Sequence, residues 1–378
     1  MAPPETDTEF RLIQTAVDLF ALKWYGIVSV AEICRTAGLS NGVFYRYFKN
    51  KEELFRRILA RVLDMIRQTI EAAGGSGPED RLARFVDAIV GFSWEHRDLV
   101  SVFREGQYRF FEYEHQLVAI YQRGLGIVLG RDARMSEYLF ALGGVRFCAI
   151  RRALHGIDVS IKDLPRILRG GLFPGASWDP ATVFDAPAQP LPVVLEEGAR
   201  ERLLAAGRRL IGEQGYFATN IHEITSAAGL SVGTFYVYFA SKDAFYAELI
   251  QVVGREVRSF IARNLAPSGS RALNRLEREL RGLWLWLIYL SRDRNCYAIV
   301  REAEFVLPAA VRDYYGAFVQ GYHKNPEGNG DADPATAIEF LLGIAHYLGL
   351  EAAFDGVPGT ARTLVEEIGR HLVHGLAG

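Results

Sequence analysis

A short stretch occurs twice in this chain of 378 residues. Residues 33–51 read ICRTAGLSNGVFYRYFKNK and residues 224–242 read ITSAAGLSVGTFYVYFASK, aligned without a gap at a constant offset of 191. Ile33, Ala37, Gly38, Leu39, Ser40, Gly42, Phe44, Tyr45, Tyr47, Phe48 and Lys51 match Ile224, Ala228, Gly229, Leu230, Ser231, Gly233, Phe235, Tyr236, Tyr238, Phe239 and Lys242. Identity this dense, with no gap, is a duplication. Any fold for this chain therefore contains one small unit twice.

Each copy reads as helix, tight turn, helix. In the first, Ser29 is placed to cap a helix whose Val30, Ile33, Cys34 and Ala37 form an apolar stripe at helical spacing. Gly38 supplies the left-handed conformation that ends a helix abruptly. Leu39 anchors the turn, and Ser40 caps the next helix. That helix carries Val43, Phe44 and Phe48 on one side and mostly Asn41, Tyr45, Arg46 and Tyr47 on the other. Two helices joined by a three- or four-residue turn with Gly form the DNA-binding helix-turn-helix pattern. Outward Tyr and Ser hydroxyls, a lysine and helix N-terminal N–H groups are phosphate-contacting chemistry. Gly42 and Gly233 remove a side chain where a DNA backbone or base edge approaches. Lys51 and Lys242 follow the caps Asn50 and Ser241 and place a cation at a helix start. The expected DNA-contacting set is Ser29, Ser40, Asn41, Gly42, Tyr45, Arg46, Tyr47 and Lys51, with Thr219, Ser231, Val232, Gly233, Thr234, Tyr236, Tyr238 and Lys242 in the second copy.

The run S-x-G-T-F-Y-x-Y-F-x-S-K, matched throughout by Ser231 to Lys242, resembles the signature of TetR/AcrR-type transcriptional regulators. Ser40 to Lys51 match it with Val43 for Thr and Asn50 for Ser. The resemblance implies an all-α protein of two TetR-like units. Each would be a three-helix head followed by a helical ligand-sensing bundle, and the two would pair within one chain as an intramolecular pseudo-dimer. Ordinary core hairpins would explain the Phe and Leu positions but leave the outward Tyr and Lys unaccounted for. A head reduced to a scaffold is the stronger competitor. The first copy has Trp24-Tyr25 where the second has Gly215-Tyr216, and the second has Val232 and Val237 where the first has Asn41 and Arg46. Asn and Arg read adenine and guanine by paired hydrogen bonds, whereas Val offers apolar contact, for instance to a thymine methyl. Both heads are expected to bind.

A net charge of −2 looks wrong for a DNA binder until it is localised. In residues 33–61, Arg35, Arg46, Lys49, Lys51, Arg56, Arg57 and Arg61 face only Glu52 and Glu53. The second head has Lys242 on its motif and Arg200, Arg202, Arg208 and Arg209 on the preceding helix. The balance excludes bulk polyanion coating, not a docked contact. Cys34, Cys148 and Cys296 show no paired spacing, which excludes a zinc finger and fits a reducing cytoplasm. The acidic start MAPPETDTEF has no apolar signal core, and no apolar run reaches membrane-spanning length, so a soluble cytoplasmic chain is expected, with no membrane partner.

The expected organisation is a first head over 1–51, a first sensing body over 52–173, a linker over 174–192, a second head over 193–242 and a second body over 243–378. First head helices are expected near 8–24 and 196–214. GGSGP at 74–78 breaks the first unit where Pro267-Ser268-Gly269-Ser270 breaks the second. The bodies repeat more faintly: Arg97-Asp98 and Arg104-Glu105 recur as Arg292-Asp293 and Arg301-Glu302, and Gly143, Phe147 and Gly156 as Gly343, Tyr347 and Gly356. The linker, PGASWDPATVFDAPAQPLP, has no helical period and would span roughly 25 Å as a coil or twice that extended. The family's dimer contact corresponds to about 135–171 and 335–375, where Gly143, Gly144 and Ala149 on one side and Gly343, Ala345 and Gly349 on the other would let the helices approach closely.

Both bodies are rich in aromatics. Most must be core, but an aromatic-lined cavity between helices is how a bundle accepts an apolar ligand. The candidate ligand contacts are Phe103, Arg104, Tyr108, Phe147, Trp284, Trp286, Tyr289, Arg301, Phe305 and Tyr347. Arg104 and Arg301, each followed by Glu, either ion-pair within the bundle or meet a ligand carboxylate. His371 and His374 have metal-compatible spacing but no third ligand in reach. No catalytic constellation, metal site or cofactor motif stands out.

These observations lead to a one-component repressor that is not an enzyme. Its partners are a double-stranded DNA operator and a bulky, apolar effector. Two unlike recognition helices would enter successive major grooves about one helical turn apart and read an asymmetric site. Ligand would tilt the linking helix and favour the state that does not fit DNA. The alternative is a small-molecule-binding or protein-interaction module that has lost DNA binding in one or both heads. Whether two such chains assemble further stays open.

Overall fold

The computed structural model describes residues 7–75, 77–190, 198–265, 271–323, 332–356 and 359–376. The regular elements among them are all helical, and they fall into two compact units: Met1–Arg134 with Val145–Ile161, and Met135–Gly144 with Lys162–Gly378.

The first unit begins with a head of three helices, α1 (Asp7–Leu22), α2 (Val30–Thr36) and α3 (Asn41–Tyr47). The body continues through α4 (Lys51–Ala72), α5 (Pro78–Glu95), α6 (Arg97–Arg109) and α7 (Glu112–Leu129). The start of α4 is fixed locally, because the Asn50 side chain accepts the Glu53 N–H at 2.8 Å. From there Phe55, Ile58, Leu59, Val62, Leu63, Ile66 and Ile70 are buried at helical spacing, against α5, α6 and α7. The head is joined to this core by Phe20, whose ring meets Phe55 edge-on at 5.1 Å. Pro78 opens α5 in the first turn, where its missing N–H is harmless; Ser76 and the counterpart loop Pro267-Ser268-Gly269-Ser270 lie outside the described residues. The chain returns to this unit in α9 (Gly144–His155), where Arg146 forms a buried ion pair with Glu114 at 2.9 Å.

The second unit opens with α8 (Met135–Tyr138) and a π-helical turn, Leu139–Gly143. After α10 (Asp163–Gly170) and α11 (Pro180–Phe184) come the head helices α12 (Ala199–Gln214), α13 (Ile221–Ala227) and α14 (Val232–Tyr238). The body comprises α15 (Lys242–Leu265), α16 (Arg275–Arg292), α17 (Asn295–Val306), α18 (Pro308–His323), α19 (Pro334–Phe354) and α20 (Ala361–His374).

Segments that the repeat assigns to the first body thus pack inside the second unit. Phe140 meets Phe340 edge-on at 5.4 Å and stacks on His371. Gly143 lies so close to α19 that a Cβ there would stand 3.4 Å from the Ile344 Cα. The ends of α10 and α20 exchange backbone hydrogen bonds: Leu172 and Phe173 donate to the Leu372 carbonyl, and Leu376 donates to that of Leu168, all at 2.8 Å. Gly171 and Gly375, at φ 80° and 68°, make that approach possible. His371 is buried in this contact and His374 is exposed, so the i, i+3 histidine pair does not converge. Cys34, Cys148 and Cys296 are all buried free thiols.

The Pro- and Ala-rich segment expected to be a coil linker is, over 177–189, an ordered strap on α15 and α16. Asp179 caps the short α11, with Pro180 at its first position. Asn274 donates to the Ser177 carbonyl at 2.9 Å, and the Asp179 N–H donates to Glu277 at 3.1 Å. Arg281, fully buried, donates to the carbonyls of Val183 and Ala186 at 2.8 Å each. A strap without regular structure has carbonyls that must be satisfied, and one guanidinium supplies several donors at once. Among the described residues, no helix is long and apolar enough to cross a membrane.

Candidate functional site

The two heads have the same turn. Gly38 and Gly229 take φ of 66° and 65°, and the following Leu39 and Leu230 donate back to Cys34 and Thr225, both at 2.8 Å. Ser29 caps α2 through the Glu32 N–H at 3.1 Å, and Ser231 caps α14 through Thr234 at 3.1 Å. Ser40 stands at the equivalent position without a side-chain cap bond, and Val43 replaces the hydroxyl that Thr234 offers to Ser231. Phe44, Phe48, Phe235 and Phe239 hold the recognition helices down.

What remains outward is the reading surface. Tyr45 and Tyr236 are 60% and 55% exposed, and Tyr238 is exposed while Tyr47 is half-buried. Asn41, Gly42 and Arg46 are exposed on α3; Val232 and Gly233 are exposed on α14, and Thr234 is half-buried. A Cβ added at Gly42 or Gly233 would meet nothing nearer than the preceding serine hydroxyl, at 3.9 and 3.6 Å, so both open onto free space. Val237, absent from the expected set, is 77% exposed. Its signal was its alignment with Arg46.

The cations divide unequally. Arg56 is drawn off by Glu52 and Glu112, and Arg57 lies 3.9 Å from Glu9. Arg35, Arg46 and Lys49 are exposed and have no ion pair among the described residues. In the second head Arg200 pairs with Glu248 and Arg208 with Glu256 and Asp293, while α14 itself has no charged side chain.

Three expected contacts lie elsewhere. Thr219 is fully buried, because its hydroxyl donates to the Gly215 carbonyl at 2.8 Å and accepts from Gln214. Lys51 donates to the carbonyls of Tyr25 at 2.8 Å and Val28 at 2.6 Å, with its ammonium 4.2 Å from the Tyr25 ring centre. Lys242 repeats this on Tyr216, donating to its carbonyl with the ammonium 3.9 Å from its ring centre. Burial holds both ammonium groups below the ordinary lysine range. These lysines clamp the turn between the first two head helices.

The same turn is held from the body. The Tyr25 N–H donates to Glu105 at 2.8 Å, and the Tyr216 N–H donates to Glu302 at 2.6 Å. The faint Arg-Glu repeat therefore has a shared structural meaning: in each unit its glutamate latches the body to the head.

The second body contains a cavity of about 390 Å³ lined from α15, α16, α17, α18 and α19. Of the expected ligand contacts in this body, Trp286 and Arg301 line it. Helical spacing decides the others on α16. Arg275, Arg278, Glu279, Gly282, Leu283 and Trp286 share the cavity face, while Glu277, Arg281 and Trp284 turn to the strap, where Trp284 meets Phe184 at 5.2 Å. Tyr289 is buried and accepts from Arg208 at 2.9 Å, and Phe305 lies beneath the Arg301 guanidinium. Tyr347 packs edge-on against His346, with ring centres 4.9 Å apart. In the first body Phe103, Arg104 and Phe147 are buried and Tyr108 is half-buried. Arg301 pairs with Glu304, three residues on. Tyr297, Tyr314, Tyr315, Phe318, Tyr322 and His346 complete the aromatic wall, and Arg258 joins it from α15.

A duplicated helix-turn-helix head on an all-helical body defines a DNA-binding regulator. The model of the family described as bacterial regulatory proteins, tetR family, matches this chain twice, over residues 12–58 and 203–249. The chain carries two TetR-type DNA-binding heads in tandem. It is 25% identical over 185 residues to the HTH-type transcriptional regulator YdgC of Bacillus subtilis, a match covering 47% of this chain and 92% of that protein. It is 30% identical over 78 residues to the repressor DhaR of a Mycobacterium species, covering 21% of this chain and 39% of that one. Among solved structures, the fatty acid degradation regulator FadR of Bacillus halodurans matches with a TM-score of 0.41 at 17% identity, covering 48% of this chain and 98% of that one.

Proposed function

We propose that this tandem TetR-type regulator is a ligand-responsive repressor that reads an operator with two unlike half-sites. The observation that carries the reading is the divergence of matched, exposed positions. The first recognition helix presents Asn41 and Arg46 where the second presents Val232 and Val237. Arg and Asn favour guanine and adenine, and Val favours a thymine methyl. Tyr45, Tyr47, Tyr236 and Tyr238, with Ser40 and Ser231, take the backbone-contacting role in both heads. The two repeated halves of the sequence act as the two subunits of a pseudo-dimer. The packing of 135–144 and α10 on α19 and α20 supports this, since these are the segments through which separate subunits would pair.

A bulky, mainly apolar effector enters the cavity of the second body. Two helices of its wall also reach the head: α15 starts at the Lys242 clamp, and α17 carries Glu302 between Arg301 and Glu304. An effector that fits a shifted α15 or α17 better than the DNA-bound arrangement biases the head away from DNA.

Selection of sites from randomised duplex DNA at low salt tests the reading. One site with two unlike half-sites is the expected result. A perfect palindrome would mean that one head dominates. No enrichment would make the chain a small-molecule or protein-interaction module.

A further inference from the structure

The cavity of the second body is apolar over most of its wall, yet it is lined by four arginines, Arg258, Arg275, Arg278 and Arg301, and only two glutamates, Glu279 and Glu304. Each glutamate already has an arginine: Arg275 meets Glu279 at 2.9 Å, and Arg301 meets Glu304. Glu279 also accepts the Tyr322 hydroxyl at 2.9 Å, and burial pushes its carboxyl above the ordinary range. The wall therefore carries an excess of positive charge.

Arg258 stands out among these side chains. It is half-buried on α15, and its guanidinium lies 5.4 Å from the Phe318 ring centre. Among the described residues it makes no hydrogen bond and no ion pair. Gly254, one turn earlier, leaves the space in which the group sits: a Cβ there would crowd both Tyr314 and the Arg258 Nη1. A guanidinium offers five N–H donors in a planar fork, and the face of Phe318 satisfies none of them. A half-buried fork with unused donors, set in an aromatic wall, matches a planar anion on an apolar body.

We infer that the effector is an apolar acid, with a hydrocarbon or aromatic body in the cavity and a carboxylate held by Arg258. This rests on the cavity being the effector site, and it narrows the effector from an apolar molecule to an apolar monoanion. Arg301 differs from Arg258 in being already paired with Glu304.

The test is calorimetric titration of the full chain with biphenylcarboxylate and with its uncharged isostere, biphenylcarboxamide. The acid is expected to bind roughly ten- to a hundred-fold more tightly than the amide. Arg258→Gln should abolish that preference by weakening the acid far more than the amide, while Arg258→Lys, which keeps the cation, should retain part of it. Melting temperatures show whether each variant folds, and Arg258→Lys decides the matter if Arg258→Gln does not. Equal binding of acid and amide by the unaltered chain, equal weakening of both in Arg258→Gln, or no binding of either probe overturns the inference. Operator affinity, measured alongside, separates the two levels. Acid binding of the expected pattern that leaves DNA affinity untouched refutes the ligand-responsive reading and keeps the site. Release of DNA by the amide as readily as by the acid refutes the acid and keeps the regulator.

Discussion

Replacing Lys51 by Met separates a clamp from a phosphate contact. The side chain keeps its length and loses its ammonium. In the structure that ammonium makes two hydrogen bonds, to Tyr25 and Val28, and lies over the Tyr25 ring. Hydrogen bonds from a charged donor contribute about 1.5–3 kcal/mol each, and a partly exposed cation–π contact adds about 0.5–1. Relief of the ammonium's burial offsets on the order of 1 kcal/mol. The net loss is about 2.5–6 kcal/mol, so amide exchange in α2 and α3 should speed up by at least roughly seventy-fold. Lys242 makes one such carbonyl bond, to Tyr216, so Lys242→Met should cost the second head about half as much. If these lysines instead contact phosphate, each replacement would leave exchange unchanged and lower the slope of log affinity against log salt by about 0.9. That result would refute the clamp.

Arg46→Ala should weaken binding by about 1–3 kcal/mol and relax selection in one half-site only, read by repeating the site selection with the variant. Loss of selectivity in both half-sites would contradict two independent readers. Glu302→Gln should leave probe binding in the cavity unchanged while reducing its effect on operator affinity several-fold, because the charged latch on the Tyr216 N–H is lost. Glu277 tests the strap through pH. Burial alone would push its carboxyl up, but Arg271 and the N–H groups of Asn274 and Asp179 hold it below the ordinary 4.5. Its contribution is therefore full above that value and lost as pH falls through the lowered one, so the melting curves of the wild type and Glu277→Gln should converge in acid. A gap independent of pH would contradict this. Gly171→Ala should destabilise the second unit by more than about 2 kcal/mol in chemical unfolding, since φ of 80° is strained for alanine and its Cβ would collide with the Leu372 carbonyl.

The heads were legible because local rules govern them. A left-handed glycine, a capping serine and aromatics at helical spacing fix both which residues are buried and which face outward. The lysines were misread for the opposite reason. A lysine after an N-cap reads as a surface cation, and nothing local shows that carbonyls more than twenty residues earlier fold back onto it. The same holds for α16, whose two buried faces both carry charge: Arg275 and Glu279 toward the cavity, Glu277 and Arg281 toward the strap. Periodicity finds such faces but cannot say which one meets a ligand. Arg258 was not singled out in the sequence, with Gly254 as the available sign that room is left beside it.

The repeat itself divides structural from functional residues once exposure is known. Ile33 and Ile224, Phe44 and Phe235, and Phe48 and Phe239 are identical and buried, as a shared scaffold requires. Tyr45 and Tyr236 are identical and exposed, so packing does not explain their identity. Positions 41 and 46 are exposed and differ from 232 and 237. Two heads on one duplex meet the same sugar-phosphate chain but different bases. An outward residue held in common fits the first, and outward residues that diverge fit the second. On this reasoning, exchanging Val232 and Val237 for Asn and Arg in the second head should convert the preferred site toward a palindrome. Leaving the half-sites unlike after that exchange would show that residues outside these two positions do the reading.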